Sequence, residues 1–323
     1  MHLQRRQCLA LALAGAAAPF VRAQGTAYPS KPIKLIVPYA VGQGTDIAAR
    51  YVGDELSKVL NQAIVIDNRP GAGGSLGLSY VAKSPPDGYT LVLIANSLTI
   101  NPAINPAVPY DAAKDFAPIS ILAWGTVVLG GIPAAPFGSI PELIAYAKQN
   151  PGKVTYASAG IGTPNHFAVE IFASVAGIKL THIPYKGNSQ AVTDVLNGQV
   201  NFFSTSIPTI QSLWKAGKLK LYGVATAKRS TILPDVPGMA EFGLADADFQ
   251  GFIGLLAPAG TPAGVVGRLN STFNAVLREP EIQTKLAGNF QPAGTTPEEF
   301  AAVIKRDLNV LTKIAKAAGI KEE

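Results

Sequence analysis

The chain has 323 residues, 48% hydrophobic and 15% charged, which excludes intrinsic disorder and exceeds what one hydrophobic core usually holds. Its 27 Lys and Arg against 21 Asp and Glu give +6, but no basic stripe with interleaved aromatics is present, so no nucleic-acid partner is expected. One cysteine and three histidines leave no material for a cysteine- or histidine-rich metal centre, and no cofactor is called for.

Residues 1–23, MHLQRRQCLALALAGAAAPFVRA, combine a positive start, an apolar stretch from Cys8 to Ala18 and a small-residue end. This predicts a signal peptide cleaved after Ala23. Arg5-Arg6 leaves open the twin-arginine route beside ordinary secretion. Cleavage would remove Arg5, Arg6 and Arg22 and no acidic residue, leaving 24 basic and 21 acidic residues, or +3. It would also remove Cys8, the lone thiol. No later stretch reaches the ~20 apolar residues of a membrane span, so a soluble periplasmic protein is expected.

In chain order, Ile33 to Val37 reads as a strand and Ile47 to Leu60 as a helix. Ile64 to Ile66 is a strand, the loop NRPGAGG follows, and Ser75 to Ala82 is helical. Thr90 to Ala95 is a strand, and Ile119 to Leu129 is extended and apolar. Pro141 to Gln149 is a helix capped by Ser139. Strands at 154–157, 180–183, 200–203 and 219–225 then alternate with helices at 165–176, 189–196 and 210–216. A strand at 253–257 precedes two helices, the last opening with the capping box Thr296-Pro297-Glu298-Glu299. Such alternation predicts parallel-rich α/β sheets covered on both faces.

Two loops nearly repeat. YAVGQGTD (39–46) and AGIGTPNH (159–166) both centre on Gly-x-Gly-Thr, follow an apolar run and precede a helix. Neither has the lysine of a phosphate loop, and Ile47 and Asn165 stand where a dinucleotide fold needs its third glycine. What survives is a strand running into a glycine turn and a helix start, whose unpaired N–H groups and dipole favour an anion. Thr45 and Thr163 are the expected N-caps. The bland alternative is an ordinary pair of strand-to-helix turns, although one matched loop per putative half favours a ligand at the carboxyl ends of the strands.

Catalytic readings fare less well. Gly73-Gly74-Ser75-Leu76-Gly77 matches G-x-S-x-G, but a long glycine loop separates Ser75 from its strand, so an exported serine hydrolase is a distant alternative. His166 and Glu170 share a helix face at i, i+4; a surface hydrogen bond is a simpler expectation than a metal pair. Trp124, Trp214 and Phe202-Phe203 read as core or pocket wall.

The ordered segments YPSKPIKLIVPYAVGQGTD, NRPGAGGSLG, SPPDGYTLVL, PYDAAKDFAPIS, YASAGIGTPNH, HIPYKG, LNGQV, AKRSTILPDVP and GLLAPAGTP span nearly all of the mature chain. Together they resemble the extracytoplasmic receptors of tripartite tricarboxylate transporters, the Bug family. That resemblance implies an α/β, two-domain flytrap of the type II periplasmic-binding-protein kind, monomeric and non-enzymatic, with a ligand cleft between domains. Residues 24–122 with 247–323 would form the first domain and 123–246 the second.

The resemblance also implies that a small carboxylate is held by the two glycine loops and passed to membrane transporter subunits. A receptor feeding a sensor kinase would look the same. The implied site comprises Tyr39, Gly42, Gln43, Gly44, Thr45 and Asp46, with Asn96 and Ser97, from the first domain. Ala159, Gly160, Ile161, Gly162 and Thr163, with Thr205 and Ser206, come from the second. Asp46 is expected to stabilise the helix start rather than touch ligand. Relatives often have glycine at 43 and an acidic residue at 205, so Gln43 is expected to reach the cleft. Thr205 points to a non-amino carboxylate, because a ligand ammonium would lose its partner.

Overall fold

The apolar run IKLIV forms a strand, and its alternation decides the layering: Leu35 and Val37 enter one core, Ile36 the opposite one. The computed structural model describes residues 28–287 and 290–321, so the expected signal segment 1–23, with Cys8, lies outside the described residues.

The first part of the chain runs β1 (Ile33–Val37), α1 (Gly44–Leu60), β2 (Ile64–Asn68), α2 (Ser75–Ala82), β3 (Thr90–Ala95), α3 (Ser97–Ile104) and β4 (Phe116–Gly125). Then come β5 (Val127–Gly131), α4 (Ile140–Gln149), β6 (Thr155–Ser158), α5 (Pro164–Ala176), β7 (Thr181–Pro184), α6 (Asn188–Leu196), β8 (Phe202–Ser206), α7 (Ile207–Lys215) and β9 (Lys220–Val224). The chain closes with β10 (Gly251–Pro258), α8 (Ala263–Leu277), α9 (Pro280–Ala287), β11 (Gln291–Pro292) and α10 (Pro297–Ala318).

These strands build two sheets, ordered β11-β4-β10-β3-β1-β2 and β7-β6-β8-β5-β9. Each has a parallel side that runs to one edge: β1 pairs in parallel with β2 and β3, and β6 with β7 and β8. The antiparallel strands are those that carry the chain between sheets. β10 runs against β3 and β4, and β5 runs against β8 and β9. The chain leaves the first sheet at Gly125, enters the second at Val127, and returns at Gly251, which pairs with Gly125.

Both sheets are buried on both faces. In the first, α1 and α8 supply Val52, Leu56, Leu269 and Phe273 to one side, while Leu78, Phe300 and Ile304 cover the other. In the second, Phe167 and Phe172 pack on Tyr156 and Phe202, and Val192, Val195 and Ile210 pack opposite them on Phe203. Each fully buried large apolar side chain contributes about 1.5–3 kcal/mol, so these faces dominate the stability. Helix α10 crosses the division: Phe300 and Ile304 belong to the first sheet's core, whereas Leu311 and Ala315 belong to the second's.

The local expectations meet the structure unevenly. Ser139 accepts from Glu142 N–H, and the Thr296–Glu299 capping box is formed. Thr163 caps α5, accepting from His166 N–H at 3.3 Å. Thr45 does not cap α1, because the helix already begins at Gly44 and Gln43 is the capping residue without a side-chain bond. Two short helices were absent from the sequence reading, α3 and α9. The segment SLTINPAI is helical despite Pro102 inside it, because Leu98 and Ile100 are buried by the tertiary packing.

Candidate functional site: a cleft ringed by helix starts

A cavity of about 1160 Å³ opens between the two sheets, at the carboxyl ends of β1, β3, β6 and β8. Residues at the first turns of five helices line it: Gly44 of α1, Ser97 of α3, Pro164 of α5, Asn188 of α6 and Pro208 of α7. Each helix start carries unpaired N–H groups and a partial positive charge. Among the described lining residues there is no Asp or Glu, whereas Lys186 and Lys285 are both present. The cavity therefore offers an anion donors from several directions, with no acidic side chain among its described lining residues.

The first loop is braced from beneath. Asp46 is 1% exposed and accepts from Gly42 N–H at 2.8 Å, from Arg50 through Nε and Nη2, and from Asn68 Nδ2 at 2.9 Å. Burial pushes its carboxyl up, but the hydrogen bonds from Arg50, Gly42 and Asn68 outweigh that and hold it below the usual range. Tyr39 OH shares a 2.7 Å hydrogen bond with Ser97 Oγ and accepts from Ala95 N–H, tying the loop to the end of β3. Burial raises the Tyr39 phenol, so it stays protonated.

The second loop rests on a stack of the buried Tyr156 and His166 with the half-buried His182. Gly162 N–H donates to His166 Nδ1 at 3.2 Å, and Gly160 N–H donates to Ser158 Oγ at 3.2 Å. Ser158 Oγ lies 2.6 Å from His182 Nε2, and the His166 and His182 rings stack with centroids 3.9 Å apart. Burial keeps both rings neutral, lowering His166 to about 3 and His182 to about 4. The expected surface bond between His166 and Glu170 is not formed. His166 is only 5% exposed and 3.9 Å from the carboxylate, and Glu170 instead accepts from Tyr156 OH at 2.5 Å. Gly162 adopts φ +71°, and a Cβ there would sit 2.8 Å from Ile104 Cδ1 of α3, so glycine is required.

Of the residues expected at the site, twelve line the cavity: Tyr39, Gln43, Gly44, Thr45, Asn96, Ser97, Ala159, Gly160, Ile161, Gly162, Thr163 and Ser206. Gly42, Asp46 and Thr205 are not on its wall. Gly42 and Asp46 satisfy each other, and Thr205 is fully buried within β8, its hydroxyl without a hydrogen-bond partner. The sequence reading missed Ile47, Tyr51, Lys186, Lys285 and Phe290. Ile47 and Tyr51 were accessible in principle, because they follow Gln43 at helical spacing on one face. Phe290 carried no sequence signal.

A model of the tripartite tricarboxylate transporter family receptor matches residues 48–320. The chain belongs to this family. It is 32% identical over 314 residues to Protein BugT of Bordetella pertussis, covering 96% of this chain and 95% of that one. Among solved structures it is similar to R. palustris Rpa4515 with adipate, at 32% identity and TM-score 0.73, over 91% of this chain and 99% of the other. It is also similar to MatC of Rhodopseudomonas palustris with bound malate, at 28% identity and TM-score 0.70, over 89% and 99%.

The tricarboxylate-transporter receptors are binding proteins rather than enzymes, and the α/β two-lobe fold here is that of periplasmic solute-binding proteins. The hydrolase reading has no support from the geometry. Ser75 is 4% exposed and accepts from Asn101 Nδ2, while His166 is buried and His182 half-buried in the other lobe. Among the described residues no three His, Cys, Asp or Glu side chains could hold a metal, and no helix is long and apolar enough to cross a membrane.

Proposed function

We propose that this receptor is exported by a signal peptide at 1–23 and works in the periplasm as a monomer. It captures a small, non-amino carboxylate between its two Gly-x-Gly-Thr loops and delivers it to membrane transporter subunits. The single observation that carries this is the cavity wall, with five helix starts, two lysines and no acidic side chain. The wall also replaces Thr205 as the reason for a non-amino ligand, since an ammonium would meet no carboxylate among its described residues. The related structures with adipate and with bound malate hold carboxylates that lack an amino group.

In this reading residues 24–122 with 247–323 form one domain and 123–246 the other, although β4 carries the first sheet on to Gly125, opposite Gly251, so the crossing falls just beyond that pair. A ligand touching both loops favours the closed arrangement by its differential affinity for it. A micromolar dissociation constant, about −8 kcal/mol, suffices for capture and still permits release. Backbone N–H groups and bridging water would supply most of the binding contacts.

Mass spectrometry of the mature protein, native and then denatured, tests the proposal by identifying a copurifying molecule. Calorimetric titration with adipate and 2-aminoadipate follows. Binding of the unsubstituted acid at least tenfold tighter is expected, and tighter binding of the amino acid would overturn the non-amino assignment.

A further inference from the structure

The cavity is far larger than a four-carbon acid, and its wall is not uniform. Gln43, Ile47 and Tyr51 line it at intervals of four along α1, so they form one stripe running away from the helix start. Over those eight residues the stripe covers about 12 Å. Its composition changes along the way. Beside Gly44 stands Phe290, whose ring edge lies 3.3 Å from where a Gly44 Cβ would be. Next come Ile47, which is 39% exposed although it is a large apolar residue, and Leu286. At the far end Lys285 Nζ lies 5.3 Å over the Tyr51 ring. Lys186, the other cation of the wall, belongs with the α6 start on the opposite lobe.

We propose that this stripe is a specificity subsite, and that the ligand is a long-bodied dicarboxylate. Its first carboxylate lies at the helix starts, its apolar chain lies over Ile47 and Tyr51, and its second carboxylate reaches Lys285. This assignment rests on the carboxylate-receptor reading above.

Along this stripe, charge placement favours a long diacid over a short one. A second carboxylate close to the first would be desolvated against Phe290, Ile47 and Leu286, which offer it no hydrogen bond. A second carboxylate about 12 Å along α1 meets an ammonium instead. An extended chain advances roughly 1.2 Å per bond, so a diacid of about eight to ten carbons fits that span. Lys285 already pairs with Glu281 at 2.5 Å, with Glu281 67% exposed. Exposed pairs of this kind are weak, so a ligand can displace Glu281 at little cost.

The test is a titration of the mature protein with butanedioate, hexanedioate, octanedioate and decanedioate, and with decanoate as the singly charged match. Each methylene buried on the stripe should tighten binding about three- to fourfold, so octanedioate should bind at least tenfold tighter than butanedioate. Lys285→Gln should abolish the preference for decanedioate over decanoate, and Tyr51→Ala should flatten the dependence on chain length. Thermal melts of both variants exclude misfolding as the cause. If butanedioate binds as tightly as the longer acids, or if the diacid preference survives Lys285→Gln, the subsite assignment falls while the carboxylate receptor stands. If no acid of the series binds, both fall together.

Discussion

Asn96 Oδ1 accepts a hydrogen bond from the Phe252 backbone N–H at 2.8 Å, across a separation of 156 residues. The same side chain donates from Nδ2 to Gln250 O at 3.5 Å and is 2% exposed. Asn96 therefore fastens the end of β3 to the strand by which the chain returns to the first sheet. Its place on the cavity wall is shared with this structural duty: the amide oxygen is committed to Phe252, and one of the two Nδ2 hydrogens to Gln250.

Replacing Asn96 with Ala leaves Phe252 N–H buried without an acceptor. Such an orphaned group costs about 1–3 kcal/mol, and urea denaturation should show a loss of that size. A stability equal to wild type would mean that Phe252 N–H finds another acceptor and the fastening is dispensable.

Gly162→Ala should weaken ligand binding at least tenfold in a folded protein. The substitution must hold a Cβ at φ +71°, which strains the loop where it lines the cavity, and its Cβ would also press on the Ile104 Cδ1 tip. The left-handed conformation alone costs about 1–2 kcal/mol for a residue with a Cβ. Calorimetric titration with adipate reads the affinity, and an unaltered value would remove this loop from the site.

The pH dependence of stability follows from the histidine stack. His166 titrates near 3 in the folded protein and near 6.5 when unfolded, so the unfolded chain binds more protons below pH 6.5. Stability is accordingly lost as the pH falls from 6.5 toward 3, by up to about 2 kcal/mol at pH 5 from this one ring. Burial raises the Glu170 carboxyl, which opposes the trend, because its protonated form suits the fold. His166→Asn keeps an acceptor for Gly162 N–H and removes the titration. The variant should lose about 1–2 kcal/mol less than wild type between pH 7.5 and pH 5, by chemical denaturation at each pH. Parallel profiles would show that His166 is not the group responsible.

Leu311→Ala should destabilise the lobe built on the second sheet, although Leu311 lies near the chain's end. Leu311 is fully buried, and truncating such a leucine costs about 2–5 kcal/mol. Hydrogen exchange should accelerate in α5, which packs against the same cluster. Protection unchanged in α5 but lowered in β1 to β3 would assign the second half of α10 to the first lobe energetically.

Much of this architecture could be read along the chain. The apolar runs at Ile33–Val37 and Thr90–Ala95, the glycine turns after β1 and β6, and the Thr296 capping box are local signals, set by side-chain period and backbone freedom. Glycine spacing placed both loops at the cleft, because a strand end and a helix start are adjacent in sequence. Asp46 was legible as a brace for the helix start, since a carboxylate in a first turn has an obvious partner in the dipole.

Only the tertiary structure decided the rest. Thr205 was expected across the cleft, yet strand register turns its hydroxyl into the sheet and presents Ser206 instead; a shift of one residue reverses the face. Lys285 and Phe290 join Ile47 and Tyr51 only because α9 docks on α1 after the chain has passed through the second sheet and returned. The sequence by itself determined the elements, the two glycine turns and the family, because these depend on neighbours a few residues apart. The shape and charge of the cavity depend on residues brought together from more than 200 positions apart, and only packing between distant elements sets those distances.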